Sequence, residues 1–139
     1  MNLKKAQKTL MAVLNKKFGL DFEYSMVNGH LEGKNSITIN GFDDDVYCQF
    51  RFYQDGLASY CFTFDKLEES GEVLRLLSEY NTNFRFFKAY LDDGYLRLDH
   101  VGYCVGDKEL AEYTKGIMNE IISEKSKEYL RPLCNLTHS

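Results

Sequence analysis

Four side chains in residues 81–100, "NTNFRFFKAYLDDGYLRLDH", have the types that carry proton or metal chemistry: Asp92, Asp93, Asp99 and His100. Carboxylates clustered with a second acidic run, Asp43-Asp44-Asp45, would suit Mg²⁺ or Ca²⁺, but the spacing of an EF-hand is absent. His100 with Cys104 or Cys61 would have the composition of a Cys–His dyad, in which the imidazole takes the thiol proton. Each acidic residue also has a simpler assignment. Asp93-Gly94 suits a two-residue turn with both residues at positive φ. Asp99 falls opposite Lys88 in the resulting hairpin, and Asp92 sits at a strand end. The other histidines, His30 in a turn-rich stretch and His138 in the tail, have no partner in sequence. No nucleophile elbow, P-loop, dinucleotide-binding glycine pattern or H-E-x-x-H motif occurs. No catalytic residue, cofactor or metal is assigned.

The elements that must position these residues follow from periodicity. Residues 3–18 read as a helix, with Leu3, Ala6, Leu10, Val13, Leu14 and Phe18 on one face and Gly19 at its end. Its lysines, Lys4, Lys5, Lys8, Lys16 and Lys17, read as a solvated face. Strands are predicted over 20–27 and 36–40, joined by a turn-rich "NGHLEGKN". "VYCQFRFY" and "LASYCFTF" form a hairpin whose loop length fixes its register. A three-residue loop, Gln54-Asp55-Gly56, puts Val46, Cys48, Phe50 and Phe52 beside Ala58, Tyr60, Phe62 and Phe64. A two-residue loop would put them beside Ser59 and Thr63. The first choice gives one apolar face. It also sends Cys48 and Cys61 to opposite faces, so no disulfide is expected between them.

A helix over 71–82, capped by Ser70, carries Val73, Leu74, Leu77, Tyr80 and Asn81 on one face. In the second hairpin Leu91 faces Leu96, Ala89 faces Leu98 and Phe87 faces His100. Tyr90 faces Arg97 and Lys88 faces Asp99 on the other side. A closing helix over 107–128 starts with Asp107 as its cap and buries Leu110, Tyr113, Ile117, Ile121, Met118 and Ile122. Pro132 marks the tail. The order α-β-β-β-β-α-β-β-α lacks a repeating strand–helix–strand rhythm. It predicts a single α+β domain over 1–139: one antiparallel sheet with helices packed mainly on one face.

Composition narrows the partners. Twenty aromatic side chains, ten Tyr and ten Phe, favour a substantial sheet. A net charge of −4 argues against binding a phosphate backbone, so no nucleic acid is expected. The lysine-interrupted N-terminus does not resemble a signal peptide, and no apolar run is long enough to span a membrane. A cytoplasmic location is the expectation. Tyr47, Arg51, Tyr53, Tyr90, Tyr95 and Arg97 fall on the alternation that faces away from the helices. Tyr and Arg are enriched at binding hot spots, and so many on one exposed face would form an unusual patch. That face is read either as a protein-binding surface or as a sheet face without a partner.

The segment "LLSEYNTNFRFFKAYLDDGYLRLDHVGY", residues 76–103, resembles the YbjN-like family of the type III secretion chaperone-like fold. The likeness lies in a helix ending in paired asparagines, Asn81 and Asn83, followed by a strand, an Asp-Gly turn and a second strand. The resemblance implies a non-catalytic protein-binding role, with a homodimer that holds an extended client segment or acts as a regulatory adaptor. It transfers no catalytic residue. The alternative is a small-molecule-binding or enzymatic domain with a pocket near His100 and Cys104.

Overall fold

A computed structural model describes residues 2–84 and 86–136; His138 lies outside them. The chain opens with helix α1 (Leu3–Met11), which continues through wider turns over Ala12–Lys17. Asn2 caps it, its Oδ1 accepting from the Lys4 and Lys5 amides. Ala6, Leu10, Val13 and Leu14 are buried while the five lysines stay exposed, and Gly19 leaves the helix at φ +66°.

Six strands follow: β1 (Glu23–Val27), β2 (His30–Ile37), β3 (Val46–Tyr53), β4 (Leu57–Lys66), β5 (Lys88–Asp92) and β6 (Tyr95–Tyr103). They make one antiparallel sheet in the order β1-β2-β3-β4-β6-β5. Helix α2 (Gly71–Asn83) separates β4 from β5, and α3 (Asp107–Ile121) and α4 (Glu124–Asn135) close the chain. The fold is α+β.

The long central hairpin has the register of the three-residue loop. Phe50 pairs with Tyr60 and Phe52 with Ala58, and Gly56 takes φ +98°. The second hairpin turns at Asp93 (φ 51°) and Gly94 (φ 82°), with Leu91 opposite Leu96 and Ala89 opposite Leu98.

Five expectations are corrected. "NGHLEGKN" is strand rather than connection: Asn28 (φ 48°) and Gly29 (φ 84°) form the turn, and β2 begins at His30. The earlier strand starts at Glu23, not at residue 20, and β2 ends at Ile37. Gly33 and Asn35 concealed β2, because they stand at the two inward positions where apolar residues would complete the alternation between Leu31 and Ile37. A Cβ at Gly33 would overlap the Phe50 ring, which occupies that space. The closing helix is two helices, with Ser123 accepting from the Ser126 amide (3.2 Å) to start α4, and Pro132 lies inside α4. Gly106, not Asp107, holds the cap position of α3; Asp107 is helical and pairs with Lys5 (3.2 Å). Leu74 and Ile122 are exposed rather than core-facing, and Leu76 takes the buried position on α2.

The core lies between the sheet and the helices. Leu31, Cys48, Phe50, Phe52, Ala58, Tyr60, Phe62, Leu96 and Leu98 form the inner face, each 2% exposed or less. Aromatic rings tile it, with Phe50 5.8 Å from Phe22, 5.9 Å from Tyr24 and 5.4 Å from Tyr60. The helices pack there, α1 against α3 and α2 against α4. Alternate side chains of every strand consequently point to the other face, which no helix covers.

Candidate functional site

That uncovered face carries all six Tyr and Arg residues singled out in the sequence. Pairing register sets their layout. Tyr47 on β3, Thr63 on β4, Arg97 on β6 and Tyr90 on β5 form one row across four strands. The next row holds Gln49, Cys61, Asp99 and Lys88, and the next Arg51, Ser59 and Val101. Tyr95 sits at the hairpin end, with the Lys66 ammonium 5.1 Å from its ring centre. Tyr53 lies at the opposite end against His30, their rings 4.8 Å apart.

Polar contacts on this face run along diagonals. Tyr90 donates its hydroxyl proton to Asp99 Oδ2 (2.7 Å), and Arg97 Nη1 meets Asp92 Oδ2 (2.9 Å). Direct cross-strand neighbours in the register are instead Tyr90 with Arg97 and Lys88 with Asp99. The right-handed strand twist brings one diagonal closer than the other, and long side chains reach along it. Asp99 therefore serves Tyr90 rather than forming the Lys88 ion pair expected from register. Arg51 donates through Nε to Glu32 Oε1 (3.1 Å), which also contacts His30 Nε2 (3.3 Å). The hydrogen bond from His30, together with the charge of Arg51, holds the Glu32 carboxyl below its usual range.

A hollow of about 210 Å³ opens among Arg51, Ser59, Cys61, Tyr90, Arg97 and Asp99. Burial, with the Asp99 carboxylate beside it, pushes the Cys61 thiol up to about 11. It is therefore a neutral thiol at neutral pH. Sequence reasoning missed Glu32, His30, Val101 and Tyr103 as members of this face, while the hairpin register had already sent Cys61 to the side opposite Cys48. The first two were invisible while β2 was read as a turn. The others follow from the same alternation that located the tyrosines. Val101 and Tyr103 are the most exposed of them, at 62% and 66%.

His100 lies on the opposite, helix-facing side. Its Nδ1 is 2.9 Å from the Tyr113 hydroxyl, its ring stacks on Phe86 at 4.6 Å, and Phe87 meets it edge-on. Burial holds its pKa below the usual histidine value. An open hollow of about 500 Å³, lined by Asn81, Phe86, Lys88 and His100 among others, adjoins it. Cys104, at 1% exposure, is buried just past β6, and burial lifts its thiol to about 11. Four residues of extended chain separate it from His100, about 13 Å. Cys61 pairs in register with Asp99, which puts it on the face opposite to His100. Neither cysteine is thus brought to His100. Cys48, Cys61 and Cys104 are free thiols.

Among the described residues no three metal-ligating side chains converge where an ion could be held. Asp92 is engaged with Arg97, Asp93 makes the turn, and Asp45 accepts from Thr38 Oγ1 (2.8 Å). No described helix is long and apolar enough to cross a membrane.

The paired asparagines divide their roles. Asn81 Nδ2 donates to the Ala89 carbonyl (2.9 Å) and its Oδ1 accepts from the Ala89 amide (2.8 Å). It thereby presents a strand-like donor and acceptor to the outer edge of β5. Asn83 bonds only the Glu79 carbonyl of its own helix (2.9 Å).

The chain matches no family model, no curated protein and no solved structure.

Proposed function

We propose that this chain is a non-catalytic protein-binding domain that holds a segment of a client or regulatory partner against the uncovered face of its sheet. One observation carries the reading. All four helices pack on one side, leaving a six-stranded face whose side chains include Tyr47, Arg51, Tyr53, Tyr90, Tyr95 and Arg97. Rigid aromatic rings and forked guanidinium groups bind at low entropic cost. A twisted sheet holds them in fixed rows. The YbjN-like resemblance of residues 76–103 points the same way, towards a secretion-chaperone-like or adaptor role in the cytoplasm.

The test is affinity purification from the source cells with the wild-type chain and with a Tyr47→Ser, Arg97→Ser variant. The reading expects a protein that is retained by the first and lost by the second at unchanged thermal stability. A partner retained equally by both would refute the assignment of this face.

A further inference from the structure

The opening helix differs in charge from everything after it. All 21 carboxylates of the protein lie beyond residue 20, so the net charge of −4 conceals a segment that is wholly basic. Lys4, Lys5, Lys8, Lys16 and Lys17 are exposed, with Met11 and Ala12 exposed among them. The wider turns over Ala12–Lys17 gather these lysines. At about 100° per residue, Lys17 of a regular α-helix would fall about 220° from Lys4, between Ala6 and Leu10 of the buried side. Instead the Phe18 amide bonds the Val13 carbonyl, five residues back (3.0 Å), and a turn closed this way advances each residue by less. The accumulated lag returns Lys16 and Lys17 towards the side of Lys4, Lys5 and Lys8. One face thus carries five ammonium groups, opposite Ala6, Leu10 and Leu14.

Neighbouring charges leave most of this face unbalanced. Lys5 pairs with Asp107, and none of the other four lysines makes an ion pair among the described residues. Helix α3, packed against α1, carries four carboxylates (Asp107, Glu109, Glu112, Glu120) and two lysines (Lys108, Lys115), so the two helices together keep a positive excess. Asp21 and Glu23 follow at the start of the sheet, in a hollow shared with Lys34. Salt screens charges beyond about 8 Å, so remoter carboxylates do not cancel the face.

We propose that this face of α1 docks the protein peripherally on an anionic lipid surface, with the five lysines at the headgroups and Met11 inserted between them. Clusters of four to eight basic residues on an amphipathic helix are drawn to such surfaces without a fixed bond geometry. The chemistry favours a bilayer over a nucleic acid. A lysine ammonium is a point charge that does not fork onto one phosphate. The helix face is convex, and residues 3–17 include no arginine or aromatic side chain to read or stack on a base. Met11, 40% exposed, adds an apolar contact that suits the headgroup–acyl boundary. The buried side of α1 faces the sheet, so its lysines point away from the uncovered sheet face. A docked molecule leaves Tyr47 and Arg97 open to a client. The inference goes beyond client binding and does not depend on it.

Co-sedimentation tests it, with vesicles of phosphatidylcholine alone and of phosphatidylcholine with one-third phosphatidylserine. The protein is expected on the anionic vesicles only, and to be released as salt rises from about 0.1 M to about 1 M. Replacing Lys4, Lys8, Lys16 and Lys17 together by Gln should weaken binding at least about a hundredfold, at about fivefold for each lysine. Should that variant fail to fold, Lys4→Gln with Lys8→Gln decides the same question, with an expected loss of about twentyfold. Tyr47→Ser with Arg97→Ser should bind vesicles as the wild type does, which separates this face from the client face. A wild type that ignores anionic vesicles overturns the proposal, as does a folded glutamine variant that binds them undiminished. Tighter binding to an RNA or DNA duplex than to the anionic vesicles, at equal salt and equal phosphate, also overturns it and reassigns the face to nucleic acid.

Discussion

Replacing Asn81 by Ala removes both hydrogen bonds to Ala89, at 2.9 and 2.8 Å, and with them the tie between the end of α2 and the edge of β5. Each such bond contributes about 1 kcal/mol net. Ala89 is 3% exposed, but its edge position allows partial rehydration once the amide is gone. Ala is the better helix former, by up to about 0.7 kcal/mol. The expected loss is therefore about 1–2 kcal/mol, or about 0.5–1 M in urea midpoint at an ordinary m-value. Asn83→Ala removes one exposed bond within its own helix and gains the same propensity, so it should move stability by no more than about 0.5 kcal/mol. Hydrogen exchange separates a lost tie from a general weakening. In Asn81→Ala the Ala89 amide should lose protection well beyond the global change. Equal destabilisation by the two variants, or an Ala89 amide still protected, would refute the assignment of Asn81 as the cover of the β5 edge.

Gly33→Ala forces the Phe50 ring out of its place among Phe22, Tyr24 and Tyr60 and should cost about 1–3 kcal/mol in urea unfolding; Phe50→Leu in the same chain should recover part of it. Because burial lowers the pKa of His100 in the fold, the unfolded chain binds more protons near pH 6. Its contribution to stability is full above about pH 6.5 and declines as pH falls through the folded pKa, and the slope between pH 5 and 7 should flatten in His100→Gln. Alkylation of Cys61 in the native protein should be slow at pH 8 and rise about tenfold per pH unit towards its value of about 11. Cys48, fully buried, should react only on unfolding.

Hairpins were legible because turn chemistry and face alternation agreed at Gln54-Asp55-Gly56 and at Asp93-Gly94. The β1–β2 hairpin was not, although Asn28-Gly29 is a strong turn signal. Its second strand spends an inward position on Gly33 to admit a ring from β3, a long-range packing demand that leaves no local trace. The break between α3 and α4 rests on Ser123 as a cap, within a run that continues the helical pattern. On the candidate face, the tyrosines and arginines follow from alternation alone. Their partners do not: Glu32 needs β2, and the Tyr90–Asp99 and Asp92–Arg97 diagonals need the twist of the sheet. The start of β5 at Lys88 is a boundary that periodicity leaves undefined by a residue or two.

Two adjacent residues of α3, Tyr113 and Thr114, reach the sheet through hydroxyl groups, one to His100 and the other to Tyr60 at 3.1 Å. Those two targets are themselves partners across β4 and β6. Apolar contacts let a helix slide or roll with little loss, because dispersion has no direction. A pair of hydrogen bonds to one rung of the ladder does not. Helix α3 is keyed to the sheet at a single rung. A load applied at Val101 passes to His100, one residue away, and from there to the helix layer through a joint that resists both rotation and slip.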